Sequence, residues 1–268
     1  MKIILIKIRR LIYQFVGKLD QLLHVSKPSL IVICYHSINQ DNWQHSLDIQ
    51  TFKQQIEILL KHYAPITPKE LLAYFTGNLK LSRQSFLLTF DDGYQNILTI
   101  KDFLKEKKIT PCLSVLSDPA KANRTQLNNN LQLLTTSQIK KLIEEGWLIG
   151  SHSATHADLS PLNYQASERE IVQSKNDLEI KLKTNINFFT LPRGKSNQHT
   201  TQLLSKAGYT LCFTMEDGII TRSTNQLAIP RIAVDKTHNI KEFPYLFSTS
   251  VINLRRLLKQ LNLSKLYE

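Results

Sequence analysis

Two adjacent carboxylates, Asp91 and Asp92, end the apolar run Ser85-Phe86-Leu87-Leu88-Thr89-Phe90 and are followed at once by Gly93 and Tyr94. Neighbouring aspartates repel unless a cation or a shared proton relieves them, so the pair is either a self-capped Asp-Asp-Gly turn or a site. Further along, His152 and His156 lie four apart, with Gly150-Ser151 before them and Ser160-Pro161 after, which reads as a loop rather than one face of a helix. One carboxylate and two imidazoles form a three-ligand zinc set with a fourth position open. The second carboxylate is then available to take a proton during attack. A histidine opposite can protonate a departing amine, and an arginine can hold the base carboxylate ionised. Such a set performs metal-assisted hydrolysis of an amide or an ester.

The elements that must position these groups read as β-α repeats. Pro28 to Tyr35 is β-rich and ends on His36; Phe86 to Phe90 ends on Asp91; Trp147 to Ser151 ends on His152; Asn187 to Leu191 ends on Pro192-Arg193; Leu227 to Ile229 leads into Pro230-Arg231. Helices are expected over 48–62, Thr67–Phe75, Gln95–Lys107, Thr136–Glu145, 165–182 and 200–207, each at apolar 3.6-residue spacing or behind a capping start. Residues 118–134 are polar, without period, and read as a long loop near the strand ends. In a parallel α/β barrel the strand ends converge on one face, so the five chemical groups can meet although they lie far apart in the chain.

With 268 residues, 42% hydrophobic and 21% charged, the chain has ordinary globular composition for a single α/β domain. The three cysteines are far apart, odd in number and show no paired spacing, so neither a disulfide framework nor a thiolate zinc site is suggested. The net charge of +12 gathers at the ends: residues 1–27 hold six Lys/Arg against Asp20, and residues 253–268 hold four against Glu268. That is no nucleic-acid groove. The expected layout is a basic amphipathic N-terminal helix over 1–27, a catalytic barrel over 28–250 and a basic C-terminal helix over 251–268. The first helix is read two ways, as packed on the domain or, through residues 1–25, as lying on an anionic membrane surface. No membrane span and no cleavable signal is evident, so a cytoplasmic or peripheral membrane location is expected.

Thr89-Phe90-Asp91-Asp92-Gly93-Tyr94 resembles the first signature of the polysaccharide deacetylases, carbohydrate esterase family 4, and Ser151-His152-Ser153-Ala154-Thr155-His156 resembles their metal-binding histidine signature. The resemblance covers roughly residues 29–235. It implies a distorted (β/α) barrel, α/β in class, that removes acetyl groups from N-acetylated sugars with a divalent metal, zinc foremost and cobalt or nickel also accepted. By the same resemblance Asp91 is the general base, while Asp92, His152 and His156 hold the metal. Leu191-Pro192-Arg193-Gly194 departs from the family's Arg-x-Pro-Tyr form and is similar to the Tyr-Pro-x-Gly version of the poly-N-acetylglucosamine deacetylase branch. In that branch a Tyr-His pair on the first strand supplies the acid, which Tyr35-His36 matches. Taken singly His36 reads as a structural histidine; the resemblance makes it the catalytic acid. Tyr94, Pro192, Arg193, Asp217 and Arg231 are implied to bind or orient substrate, with Asp217 and Arg231 as the orienting pair. The Arg193 N–H is also placed to polarise an oxyanion, and Asp158 is either a loop cap or a bond to a ligand histidine.

Three functions are therefore weighed: an N-deacetylase acting on an N-acetylhexosamine glycan or its lipid-linked precursor, an O-acetyl esterase on the same scaffold, and a carbohydrate-binding module with a dead site. The full complement of Asp91, Asp92, His152, His156 and His36 argues against the last.

Overall fold

The run Leu30-Ile31-Val32-Ile33-Cys34-Tyr35 has no polar position, as a strand covered on both faces requires. It forms β1 (Leu30–Tyr35), entirely buried. In the computed structural model, which describes residues 2–122, 127–261 and 263, helix α1 (Lys2–Leu22) precedes it. Then come β2 (Ser37–Ile38), β3 (Ser46–Leu47), α2 (Ile49–His62), β4 (Ala64–Pro65), α3 (Pro68–Phe75) and β5 (Ser85–Phe90). The middle of the chain holds α4 (Lys101–Glu106), β6 (Cys112–Val115), α5 (Thr136–Glu144), β7 (Leu148–Ser151), α6 (Tyr164–Glu168) and α7 (Ser174–Leu182). The last third holds β8 (Phe188–Thr190), α8 (Thr200–Lys206), β9 (Leu211–Phe213), β10 (Ile232–Ala233) and α9 (Thr249–Gln260).

One parallel sheet runs β10-β1-β5-β6-β7-β8-β9, with β4 beside the first half of β5. It curls until residues 229–233 touch both edges: Ile229 bridges Phe213 while Ile232 and Ala233 pair with Ile33 and Cys34. The result is a single-domain α/β fold with a curled parallel sheet, as the alternating runs imply. Close approach between neighbouring strands uses Gly150, where any Cβ would overlap the Phe188 ring. Helix starts follow local chemistry: Thr67 with Glu70, and Thr135 with Gln138, form reciprocal capping boxes.

Two expected helices are broken. The segment from Gln95 begins as a 3-10 turn (Gln95–Ile100) before α4, because Gln95 N–H still donates to Gln132 and Tyr94 bridges Leu133, holding the first turn to the neighbouring loop. Between α6 and α7 the turn is a π-helix (Arg169–Gln173), a form that concentrates at functional sites. Residues 118–134 form a loop in their described parts, 123–126 lying outside the described residues. Of the expected C-terminal helix 251–268, α9 ends at Gln260, and 262 and 264–268 lie outside the described residues.

Helix α1 packs on the domain against α9 and the turn Phe243–Phe247. Its contact face holds Arg9, Tyr13, Gly17 and Asp20, with Gly17 lying where a side chain would strike the Tyr245 ring. Among the described residues no helix is long and apolar enough to cross a membrane.

Candidate active site

The strand ends of β1, β5 and β7 and the segment entering β10 deliver His36, Asp91 with Asp92, His152 with His156, and Arg231 to one pole of the sheet. The chain is bent hard there. Of seven non-glycine residues with left-handed backbone among those described, three lie on these loops, Asp92 (φ 69°), Ser153 (68°) and His156 (59°), and a fourth, Arg193 (57°), lies in the turn after β8. Backbone strain of that kind persists where the surrounding fold holds a functional geometry in place.

The two aspartates have separate surroundings. Asp91 is buried and meets Arg231 in a bidentate pair, Nη1 to Oδ1 at 2.9 Å and Nη2 to Oδ2 at 2.7 Å. Arg231 itself is 1% exposed and also donates to the Thr214 carbonyl and the Thr89 hydroxyl. Burial works against ionising Asp91, but the Arg231 charge and its hydrogen bonds outweigh it and bring the carboxyl down to about 2. The Cys34 thiol donates to Asp91 Oδ2 at 3.4 Å, so this buried cysteine touches the carboxylate.

Asp92 turns the other way. Its Oδ1 lies 3.3 Å from Nε2 of both His152 and His156 and, although buried, has no hydrogen-bond donor. A tetrahedral zinc with bonds of about 2.0–2.1 Å spaces its donors about 3.3–3.4 Å apart. An orphaned carboxylate oxygen between two imidazole nitrogens at that spacing fits a divalent cation. His152 Nδ1 sits 2.9 Å from the Thr190 carbonyl, which accepts its hydrogen bond and leaves the Nε2 lone pair free for a cation beside Asp92.

His36 is half-buried, with a ring nitrogen within 4.8 Å of both Asp91 and Cys34 and with Nδ1 lacking a hydrogen-bond partner. Burial, reinforced by His45, pushes its pKa down to about 4, so the imidazole rests neutral at pH 7.

The other expected residues divide. Tyr94 is buried, its hydroxyl accepting from Asn128 N–H and its ring meeting Trp43 edge-on at 5.2 Å. Pro192 is buried in the turn after β8, while Arg193 is exposed and pairs with Asp158 at 3.3 Å. Asp158 caps its own loop by accepting from Ser160, not from a histidine. Asp217 is buried and meets Arg255 of α9 at 2.7 Å, near Tyr13 of α1. Arg231 is committed to Asp91 through both nitrogens of its fork.

Sequence patterns gave no hint of three neighbours. His45 lies 4.8 Å ring to ring from His36, and Trp43 lies 6.2 Å from it, both on the short loop between β2 and β3. Glu170, on the π turn, accepts from the N–H groups of Ala154 and Thr155 and from the Thr155 hydroxyl, clamping the loop that carries both histidines. Glu170 reads as one of many charges on a surface helix, and only the break in helical period at 169–173 marks it.

Comparison with known proteins agrees with this geometry. The chain is 27% identical over 215 residues to YxkH of Bacillus subtilis (strain 168), spanning 78% of this chain and 72% of that protein. It is 26% identical over 216 residues to the poly-beta-1,6-N-acetyl-D-glucosamine N-deacetylase of Staphylococcus aureus (strain MRSA252), spanning 75% of this chain and 72% of that one. Its fold matches the structure of IcaB from Ammonifex degensii with a TM-score of 0.72 at 20% identity, over 84% of this chain and 98% of the other. Residues 78–212, which include the Asp91-Asp92 turn and the His152 to His156 loop, match the polysaccharide deacetylase family, and the chain belongs to that family of hydrolases.

Proposed function

We propose that this chain removes N-acetyl groups from an N-acetylhexosamine-containing polysaccharide or its lipid-linked precursor, with a divalent metal, zinc foremost. The observation that carries the reading is the division of labour between the adjacent aspartates: Asp91 is locked to Arg231, and Asp92 Oδ1 faces two imidazole nitrogens. The Staphylococcus aureus relative is named for the same class of reaction.

Asp92, His152 and His156 would hold the ion, which when bound would polarise the acyl carbonyl and make water a better acid. Asp91, kept ionised by Arg231, takes the proton of the attacking water. His36 starts neutral and within reach of Asp91, so a proton can pass from the base to the imidazole and on to the departing amine. Pro192 and Arg193 present backbone and guanidinium to the sugar, and Tyr94 props Trp43 beside the acid.

Acetate release from β-1,4 and β-1,6 N-acetylglucosamine oligomers by metal-loaded protein tests the reading. Release is expected from at least one series; release from O-acetylated glycans alone would overturn N-deacetylation. His36→Ala is expected to lower kcat by about 10²-fold or more, in the range of general acid catalysis, with bound metal unchanged. Glu170→Ala is expected to weaken metal affinity about 10- to 100-fold by freeing the 153–156 loop, measurable by competition with a chromogenic chelator.

A further inference from the structure

Helix α1 is packed inside out. Ordinary surface helices turn their apolar stripe to the core, but here the buried face is ionic. Arg9 pairs with Glu242 at 2.8 Å, Asp20 accepts from Ser248 and Ser250, and Tyr13 is enclosed beside them. The opposite face carries Ile4, Ile8, Leu11, Phe15, Leu19 and Leu22 at spacings of three and four. Ile4 is 61% exposed, Leu11 68%, Phe15 69% and Leu22 74%. Along a 21-residue helix this stripe is about 30 Å long, and an apolar surface of that extent left in water marks a contact. Leu257 of the adjoining α9 and Leu261 just past its end are exposed as well.

Charge selects the occupant. Exposed Lys7 and Lys18 border the stripe on one side, and Asp20, the sole acid between residues 2 and 22, is turned inward. The outward face therefore offers apolar and positive groups together. The geometry points to an anionic lipid surface as its partner, with α1 lying in the headgroup layer, the stripe at the acyl boundary and Lys7 and Lys18 at the phosphates. A second copy would set the same lysine row against itself.

The seat is joined to the rim of the site. Arg9 donates to the Thr237 hydroxyl and carbonyl, both at 2.9 Å. Thr237 donates to Asp235, and Asp235 accepts from Gln44, which stands between Trp43 and His45 beside His36. This inference does not depend on which acyl group the enzyme removes.

Co-sedimentation of the full chain with vesicles of equal phosphatidylcholine and phosphatidylglycerol, beside vesicles of phosphatidylcholine alone, tests it without substrate. Binding is expected to the anionic vesicles and far less to the neutral ones. Lys7→Gln with Lys18→Gln is expected to weaken it roughly 25-fold, about fivefold for each lysine. Leu11→Ser with Phe15→Ser is expected to weaken it roughly a hundredfold or more, while thermal midpoint and hydrolysis of soluble oligomers stay at wild-type values, because both side chains lie in solvent. A chain that stays in the supernatant with anionic vesicles, or binding indifferent to Leu11→Ser with Phe15→Ser, overturns the proposal. So does a dimer mass in solution that the same double variant dissolves, which would make a second copy the occupant.

Discussion

Asp91→Asn is expected to lower kcat for acetate release by roughly 10³- to 10⁴-fold while leaving bound metal stoichiometric, whereas Asp92→Asn is expected to lose both metal and activity. The two residues are adjacent in the chain, but Asp92 has left-handed backbone, and their carboxylates diverge into different environments. Asp91 has no contact with the histidine pair in hydrogen-bond terms; its oxygens are taken by Arg231 and the Cys34 thiol. An amide at 91 keeps shape and volume but cannot accept a proton at neutral pH, which removes general base catalysis at the upper end of its usual range. An amide at 92 offers a weaker oxygen between His152 and His156 and leaves two neutral imidazoles, too few for a stable site. Metal content by atomic emission and acetate release by coupled assay separate the two outcomes. Equal metal loss in both variants would refute the division of roles.

Arg231→Leu is expected to cost about 3–5 kcal/mol of stability, because it strands the buried Asp91 carboxylate without its counter-charge. At about 2–4 °C per kcal/mol for a chain of this size, the thermal midpoint falls by roughly 6–20 °C. In the native protein the folded pKa of Asp91, about 2, lies below that of an unfolded aspartate, about 3.9. Its contribution to stability is therefore complete above pH 4 or so and is lost as pH falls toward 2. In Arg231→Leu the sign reverses: burial now dominates and raises the carboxyl above its unfolded value, so the acid limb of the pH-rate profile moves up and the variant's deficit shrinks as pH falls. Adding Asp91→Asn to Arg231→Leu removes the stranded charge and is expected to restore part of the midpoint. A double variant no more stable than Arg231→Leu alone would place the loss elsewhere, in the bonds to Thr214 and Thr89.

Much of this arrangement is local enough to read from residues in order. A short, mostly apolar run closed by turn residues reads as a strand covered on both faces, and β1 and β5 are that; the chemical group that ends each run is carried to the pole by the strand itself. His152 and His156 are likewise set by one short loop, so their spacing already implies a shared ligand pair. Apolar periodicity also marks α1 as amphipathic from its sequence alone.

Whatever depends on which elements lie side by side was decided only in three dimensions. Arg231 reaches Asp91 across 140 positions because β10 pairs with β1, itself beside β5, and nothing near either residue encodes that pairing. Asp217 is drawn to Arg255 for the same reason, since α9 happens to pack over its loop. Glu170 reaches the histidine loop through a π turn that adds a residue to the helical period. Periodicity reveals that α1 has an apolar face but not where it points. That was settled by the buried charges of Glu242, Asp217 and Arg255 beneath it, which favour the helix's ionic side and leave Phe15 and Leu11 in water. A buried charge must be paired, while an apolar side chain merely prefers to be covered, and here the stronger requirement set the orientation.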